Sequence, residues 1–266
     1  MKTITSRDNP LFKQLKSLAG SSQARRKAGQ TLLDGVHLCQ VYLQQRGAPL
    51  LCIVSAGAAE HPEVAPIVAQ IAPAQCISLP DALYDALSPV VNGVGLLFVI
   101  DLPHNTPPAR LQRSAVLLDQ LQDPGNLGSI LRSAAAAGIS EVYCSPGTVY
   151  AWSPKVLRAG MGAHFVLDIF ENVDLAAQIG GAAVPVLATS SHADKRIYDL
   201  DLRLPVAWLM GHEGQGVSAP LLALATQQVA IPHLGQMESL NVAACAAVCF
   251  FEQLRQASRP ADRTAA

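Results

Sequence analysis

The chain has 266 residues, 50% of them hydrophobic and only 15% charged, so it can bury one large core or two small ones and is not disordered over most of its length. A formal net charge of −1 does not by itself advertise a nucleic-acid partner. The distribution says more: residues 1–46 hold eight basic side chains against two acids, which leaves −7 for the remainder. Such a basic end is expected where one region meets phosphates, and equally in a solvated amphipathic helix.

In chain order, Leu11, Leu15 and Leu18 lie at helical spacing after Asn9 and Pro10, a cap and a first-turn proline, and predict a helix over 9–18. Ser21 to Gly29 is polar and basic. TLLDGVHLCQVYLQQ reads as a strand, a turn at Asp34-Gly35 and a helix. LLCIVSAG (50–57) is a buried strand, Pro62 to Ile71 a helix, 76–80 a short strand, 81–88 a helix and 95–101 a strand. This alternation predicts a small α/β domain over 1–102.

Residues 103–110, with three prolines in LPHNTPPAR, read as a linker. A second α/β domain is expected over 111–258, again with strands and helices in alternation, and a flexible tail over 259–266. Its strands are SAVLLDQL, EVYCS, VLDIF, VPVLATS, PVAWLMG and VAIP, and its last helix runs over 239–256. The opening residues carry no apolar leader core, and the apolar stretch Val242 to Phe251 is too short to span a bilayer. A soluble cytoplasmic protein without a membrane partner is expected. None of the six cysteines forms a C-x-x-C pair, and no histidine lies near Cys245 and Cys249, so neither metal nor disulfide is expected.

Three segments carry chemistry, and each follows a strand. Asp123-Pro-Gly-Asn-Leu-Gly-Ser-Ile-Leu-Arg132 is a strand end, a turn and a helix beginning near Asn126, which places polar groups where a helix N-terminus favours a ligand. Gly211-His-Glu-Gly-Gln-Gly216 sets one carboxylate among three glycines. It has neither the dinucleotide fingerprint nor the Lys-Ser/Thr pair of a phosphate loop, and a plain tight turn is the alternative. In Ile231-Pro-His-Leu-Gly-Gln-Met-Glu-Ser-Leu-Asn-Val242, Ser239 has the chemistry to open a helix as its cap. Asn241, in the first turn, has no structural reason of its own, so its amide is expected to face a ligand.

In order and type these segments resemble the three signature motifs of the SpoU–TrmH family of RNA ribose methyltransferases. Asn126, Gly128 and Arg132 match the first motif, Gly211, Glu213 and Gly216 the second, and Ile231, Pro232, Gly235, Ser239, Leu240, Asn241 and Val242 the third. Residues 153–162 also look like an intermediate segment of the family, and 6–18 with 24–38 more loosely resemble the substrate-binding domain of ribosomal-RNA members. His212, His233 and Ala243 depart from the usual residues.

The resemblance implies a ribosomal-protein-like α/β domain followed by a trefoil-knotted α/β domain with a mainly parallel sheet, the knot being a rare exception to chain topology. It implies S-adenosylmethionine as cofactor, held near Leu209, Met210, Gly211, Gly216, Ile231, Ser239 and Leu240. Arg132, Asn126, Glu213 and Asn241 would act on the ribose. The family proposal makes the arginine a base, but a guanidinium holds its proton, so a phosphate clamp fits its chemistry better. Arg25, Arg26, Lys27, Lys155 and Arg158 are the candidate RNA contacts, with ribosomal RNA favoured over transfer RNA. A homodimer through the knotted domain is also implied. The alternatives are a transfer-RNA methyltransferase and a non-catalytic RNA-binding assembly factor.

Overall fold

Asn9 caps the first helix, its side-chain oxygen accepting from the Leu11 N–H at 2.9 Å, with Pro10 at the first helical position. The structure, a computed structural model, describes residues 1–88, 90 and 93–258; the tail expected over 259–266 lies outside them. It divides into two units, one of Met1–His104 with Trp152–Phe165, the other of Asn105–Ala151 with the chain from Val166 onward.

The first unit holds β1 (Lys2–Thr3), α1 (Pro10–Gly20), α2 (Ser22–Ala28), β2 (Gln30–Asp34), α3 (Val36–Arg46), β3 (Leu51–Ser55), α4 (Ala65–Val68), β4 (Cys76–Leu79), α5 (Asp81–Tyr84) and β5 (Leu96–Asp101). The strands order as β1-β4-β3-β5-β2. β1, β4 and β3 are parallel, and β5 runs antiparallel to both β3 and β2. Phe12, Leu15 and Leu18 of α1 pack on Leu32, Ile53, Ile77 and Val99 of the sheet. The helix expected over 62–71 shrinks to the single turn of α4, because Pro62 and Pro66 supply no N–H to extend it.

Residues 152–165 carry a short helix, Pro154–Gly160, and belong to the first unit. The Thr31 hydroxyl donates to the Trp152 carbonyl and the Arg46 Nε to the Phe165 carbonyl, both at 3.0 Å, while Tyr42 meets Phe165 edge to face.

The second unit continues with β6 (Ala115–Leu118), α6 (Pro124–Ala136), β7 (Glu141–Cys144), then, past α7 (the helix at 154–160), β8 (Asp168–Phe170), α8 (Leu175–Gly180), β9 (Val186–Thr189), β10 (Ala207–Met210), α9 (Ala219–Leu224), β11 (Gln227–Val229) and α10 (Val242–Ala257). The strand expected at 229–232 thus ends earlier, at Val229. Residues 105–111 lie on this unit, where Gln178 donates to the Pro108 carbonyl and the Ala183 N–H to that of Leu111. The six strands order as β11-β9-β10-β6-β7-β8 with every pairing parallel. Such a sheet is covered on both faces, and β6 and β10 are accordingly buried at every residue. From β6 the chain steps outward to β7 and β8; later it returns on the other side as β9, β10 and β11. The change of direction falls between β6 and β10, where an open parallel sheet leaves a crevice beyond its carboxyl ends.

Among the described residues, no helix is long and apolar enough to cross a membrane, and no group of His, Cys, Asp and Glu is arranged to hold a metal ion.

Candidate functional site

The two loops leaving β6 and β10 meet at that crevice. After β10, His212 and Gly216 exchange backbone hydrogen bonds at 3.0 and 2.8 Å, folding 212–216 into a tight turn with Glu213 in it. A Cβ on Gly211 would run into the Gly216 carbonyl and the Val217 nitrogen, so no side chain fits there. Gly216 has φ +71°, a left-handed conformation that glycine takes at no steric cost. The His212 ring accepts from the Gly214 N–H at 3.0 Å, a local reason for histidine at that place.

After β6, the helix starts earlier than expected: Asp123, not Asn126, is the cap, accepting from the Asn126 N–H at 2.7 Å, and Pro124 opens the helix. This leaves the Asn126 amide unspent. It donates to Glu213 Oε1 at 3.0 Å, while the backbone N–H groups of Asp123 and Gln122 donate to the same carboxylate at 2.9 and 3.1 Å. On its other side Asn126 Oδ1 accepts from the Asn241 amide at 2.9 Å.

Asn241 corrects a second expectation. It, and not Ser239, caps α10, its oxygen accepting from the Ala243 and Ala244 N–H groups at 2.9 and 3.3 Å. One side chain therefore ends the helix with its oxygen and joins the polar chain with its nitrogen. Glu213, Asn126 and Asn241, one from each motif, form a continuous relay of hydrogen bonds.

Partial burial works to raise the Glu213 pKa, but the Asn126 amide and the two backbone N–H groups outweigh it, and the carboxyl sits below the ordinary glutamate value. Because the folded value is depressed, the stabilisation is complete above about pH 4.3 and is lost as pH falls through the folded value. Wild type and Glu213→Gln should therefore differ in urea midpoint at pH 7 and converge at strongly acid pH. A difference that persisted there would contradict the assignment.

Beside the relay lies a cleft of about 910 Å³, lined by Gly211–Val217, by Ile231, His233 and 238–242, and by Thr189–His192 at the end of β9. Of the expected cofactor residues, Gly211, Gly216, Ile231, Ser239 and Leu240 line it. Leu209 and Met210 do not; both are fully buried in β10. The Thr-Ser-Ser-His wall was missed, since only the strand order shows that β9 ends beside β10. A polar run closing an apolar strand was its signal in the sequence.

Arg132 is exposed on α6, lies outside the cleft lining, and none of the hydrogen bonds or ion pairs found among the described residues involves it. In the first unit, Arg25 is buried and is not an RNA contact: its Nη1 donates to the Leu18 carbonyl at 2.5 Å and reaches that of Ala19, so it finishes α1. Arg26, Lys27 and Lys155 are exposed. Arg158 turns partly inward, with Nη1 buried and its charge felt by Asp34, whose carboxyl burial nonetheless holds above the usual range.

The model of the SpoU rRNA Methylase family matches residues 113–251. An uncharacterized tRNA/rRNA methyltransferase of Synechocystis is 36% identical over 96% of this chain and 94% of its own length. The 23S rRNA (guanosine(2553)-2'-O)-methyltransferase RlmP of Bacillus subtilis is 28% identical over 94% of this chain and 98% of its own. The crystal structure of an AdoMet-bound rRNA methyltransferase from Sinorhizobium meliloti superposes with a TM-score of 0.79, at 25% identity, over 96% of this chain and 97% of that one.

Proposed function

The chain belongs to the SpoU rRNA methylase family, and from that premise we propose that it transfers the methyl group of S-adenosylmethionine to a ribose 2'-hydroxyl of ribosomal RNA, 23S rRNA before any other. The observation that carries this reading is the relay of Glu213, Asn126 and Asn241 at the edge of the cleft. An assembly factor that only bound RNA would have no use for it. The cleft has the size of a cofactor site, with apolar Leu222, Val229 and Ile231 set against the polar Ser190, Ser191 and His192. Gly216, where a Cβ would meet only open space, allows backbone to approach a ligand closely, and S-adenosylmethionine fits such a lining.

When bound, the cofactor supplies a methyl group made electrophilic by the adjoining sulfonium. The chain's part is to align the 2'-hydroxyl, steady the charge that develops on its oxygen and keep water out. Glu213 is a positioning group rather than a base, since three donors already occupy its carboxylate. Arg132, always charged, suits a clamp on the target phosphate. Arg132→Lys keeps the charge but not the fork, and should lower turnover at least about tenfold if the contact is bidentate. Undiminished turnover would remove that role.

The first unit is the RNA-binding part in this reading, through Arg26, Lys27 and Lys155, with the boundary near 103–110. Replacing Arg26 and Lys27 with Ala should lower the slope of log affinity against log salt by roughly one per lost phosphate contact. An unchanged slope would clear both residues. The knot of the second unit and a homodimer through it belong to the same proposal. Phe251 and Leu254, 46% and 36% exposed on α10, supply an apolar face for the interface. The cytoplasm, where ribosomal RNA is met, is the expected compartment.

The test is methyl transfer from labelled S-adenosylmethionine to ribosomal and transfer RNA from cells lacking this gene, followed by digestion to nucleosides. A labelled 2'-O-methylnucleoside from ribosomal RNA is the expected product. Label confined to transfer RNA would replace the substrate, and no transfer together with no cofactor binding would leave the assembly-factor reading.

A further inference from the structure

Six cysteines are present, all with free thiols, and five of them are buried: Cys39, Cys52, Cys76, Cys144 and Cys249 are each no more than 2% exposed. Cys245 differs. It is half-buried and lines the cleft beside the relay. It also lies in the first turns of α10, its N–H donating to the Asn241 carbonyl at 2.9 Å, where the positive end of a 16-residue helix favours an anion. Cys249 stands one turn further along the same helix, inside the core.

We propose that Cys245 is a covalent modification site for soft carbon electrophiles, and that capping it closes the cleft to the cofactor. The cofactor in this statement rests on the function proposed above; the reactivity rests on the cleft and the helix alone. In the reaction the Cys245 thiolate attacks the β-carbon of an activated alkene. The carbon–sulfur bond forms as the π pair moves to the α-carbon, which takes a proton from water. Nothing is oxidised or reduced.

Three features select this thiol. It opens onto a space large enough for the electrophile, whereas the other five sulfurs face packed side chains. The neighbouring Cys249 thiol favours the Cys245 thiolate against the opposing cost of burial, and the thiol sits below the ordinary cysteine value. The thiols of Cys39, Cys52, Cys144 and Cys249 are all pushed up, by burial in the first three and by the Cys245 contact first in the last. An adduct on Cys245 would stand among Thr189, Gly211, Ser239 and Asn241, in space the cofactor needs.

The test uses the intact folded chain and N-ethylmaleimide at less than one equivalent, with modified peptides counted by mass spectrometry over time. Cys245 should be labelled at least about tenfold faster than any other cysteine. S-adenosylhomocysteine should slow that labelling, and the mono-labelled protein should bind it at least about tenfold more weakly. Labelling spread over several cysteines, or led by another, overturns the proposal, as does full cofactor affinity in the Cys245 adduct. Binding of S-adenosylhomocysteine to untreated protein is measured separately, and its absence would count against the proposed function while the order of labelling still decides the reactivity of Cys245.

Discussion

Gly211→Ala should be the most damaging single-methyl change in the second unit. The added Cβ would overlap the Gly216 carbonyl and the Val217 nitrogen, and backbone, unlike the end of a side chain, cannot step aside. The turn would have to open, breaking the His212–Gly216 pair of hydrogen bonds. Overpacking of this kind costs about 2–4 kcal/mol, a fall in melting temperature of roughly 10 °C for a unit of this size. Glu213 would move with the turn, so cofactor binding and methyl transfer should both fall. Gly216→Ala is the control. Its Cβ would meet nothing within 4 Å, and only the left-handed backbone opposes it, at about 1 kcal/mol. If thermal melts ranked the two variants equal, steric exclusion at Gly211 would not be the cause.

Asn126→Asp should have the larger effect on chemistry. The volume is unchanged, but a carboxylate would face Glu213 Oε1 across the 3.0 Å now spanned by the amide. Glu213 would lose a donor and gain a like charge, so the pair would share a proton and titrate well above the present Glu213 value. The sign of the pH dependence then reverses. A raised folded pKa gives stability that is present at acid pH and lost as pH rises, so the variant should melt closer to wild type at pH 4 than at pH 8. Single-turnover methyl transfer should fall by about 100-fold or more at neutral pH, the scale of losing an oriented donor array. Asn126→Ala removes one donor without adding charge, and its loss should be smaller. If Asp were tolerated as well as Ala, the relay would be dispensable.

Much of this was legible before any coordinates. The three segments and most of the order of strands and helices follow from local signals, namely apolar runs, turn residues and polar groups after strands, and the resemblance to the SpoU–TrmH motifs implied the grouping of Asn126, Glu213 and Asn241. What escaped was the ends of helices and one long-range pairing of strands. The charge of Arg25 marked it for phosphate, but its guanidinium is spent on the end of α1, a contact that no charge count contains. Residues 21–29 lacked apolar periodicity, yet they form α2 because Ser21 caps one end and Gly29, at φ +63°, closes the other. At Asn241 two roles fell on one residue, and the first-turn position hid the cap. The Thr189–His192 wall became part of a site only through the pairing of β9 with β10.

The pairing of β6 with β10 bears on how the molecule comes into being. Ala115 lies opposite Ala207, and the last group of the relay, Asn241, comes later still. No hairpin in this sheet can form early and wait for the rest, so the loop-closure entropy of distant pairings must be overcome first. Folding of this unit is expected to be slow, and its apolar strands to stay open to aggregation meanwhile. A chain interrupted before residue 241 lacks Asn241 and its link to Asn126. With the relay acting as proposed, reactivity toward RNA is expected only after residue 241 has been made.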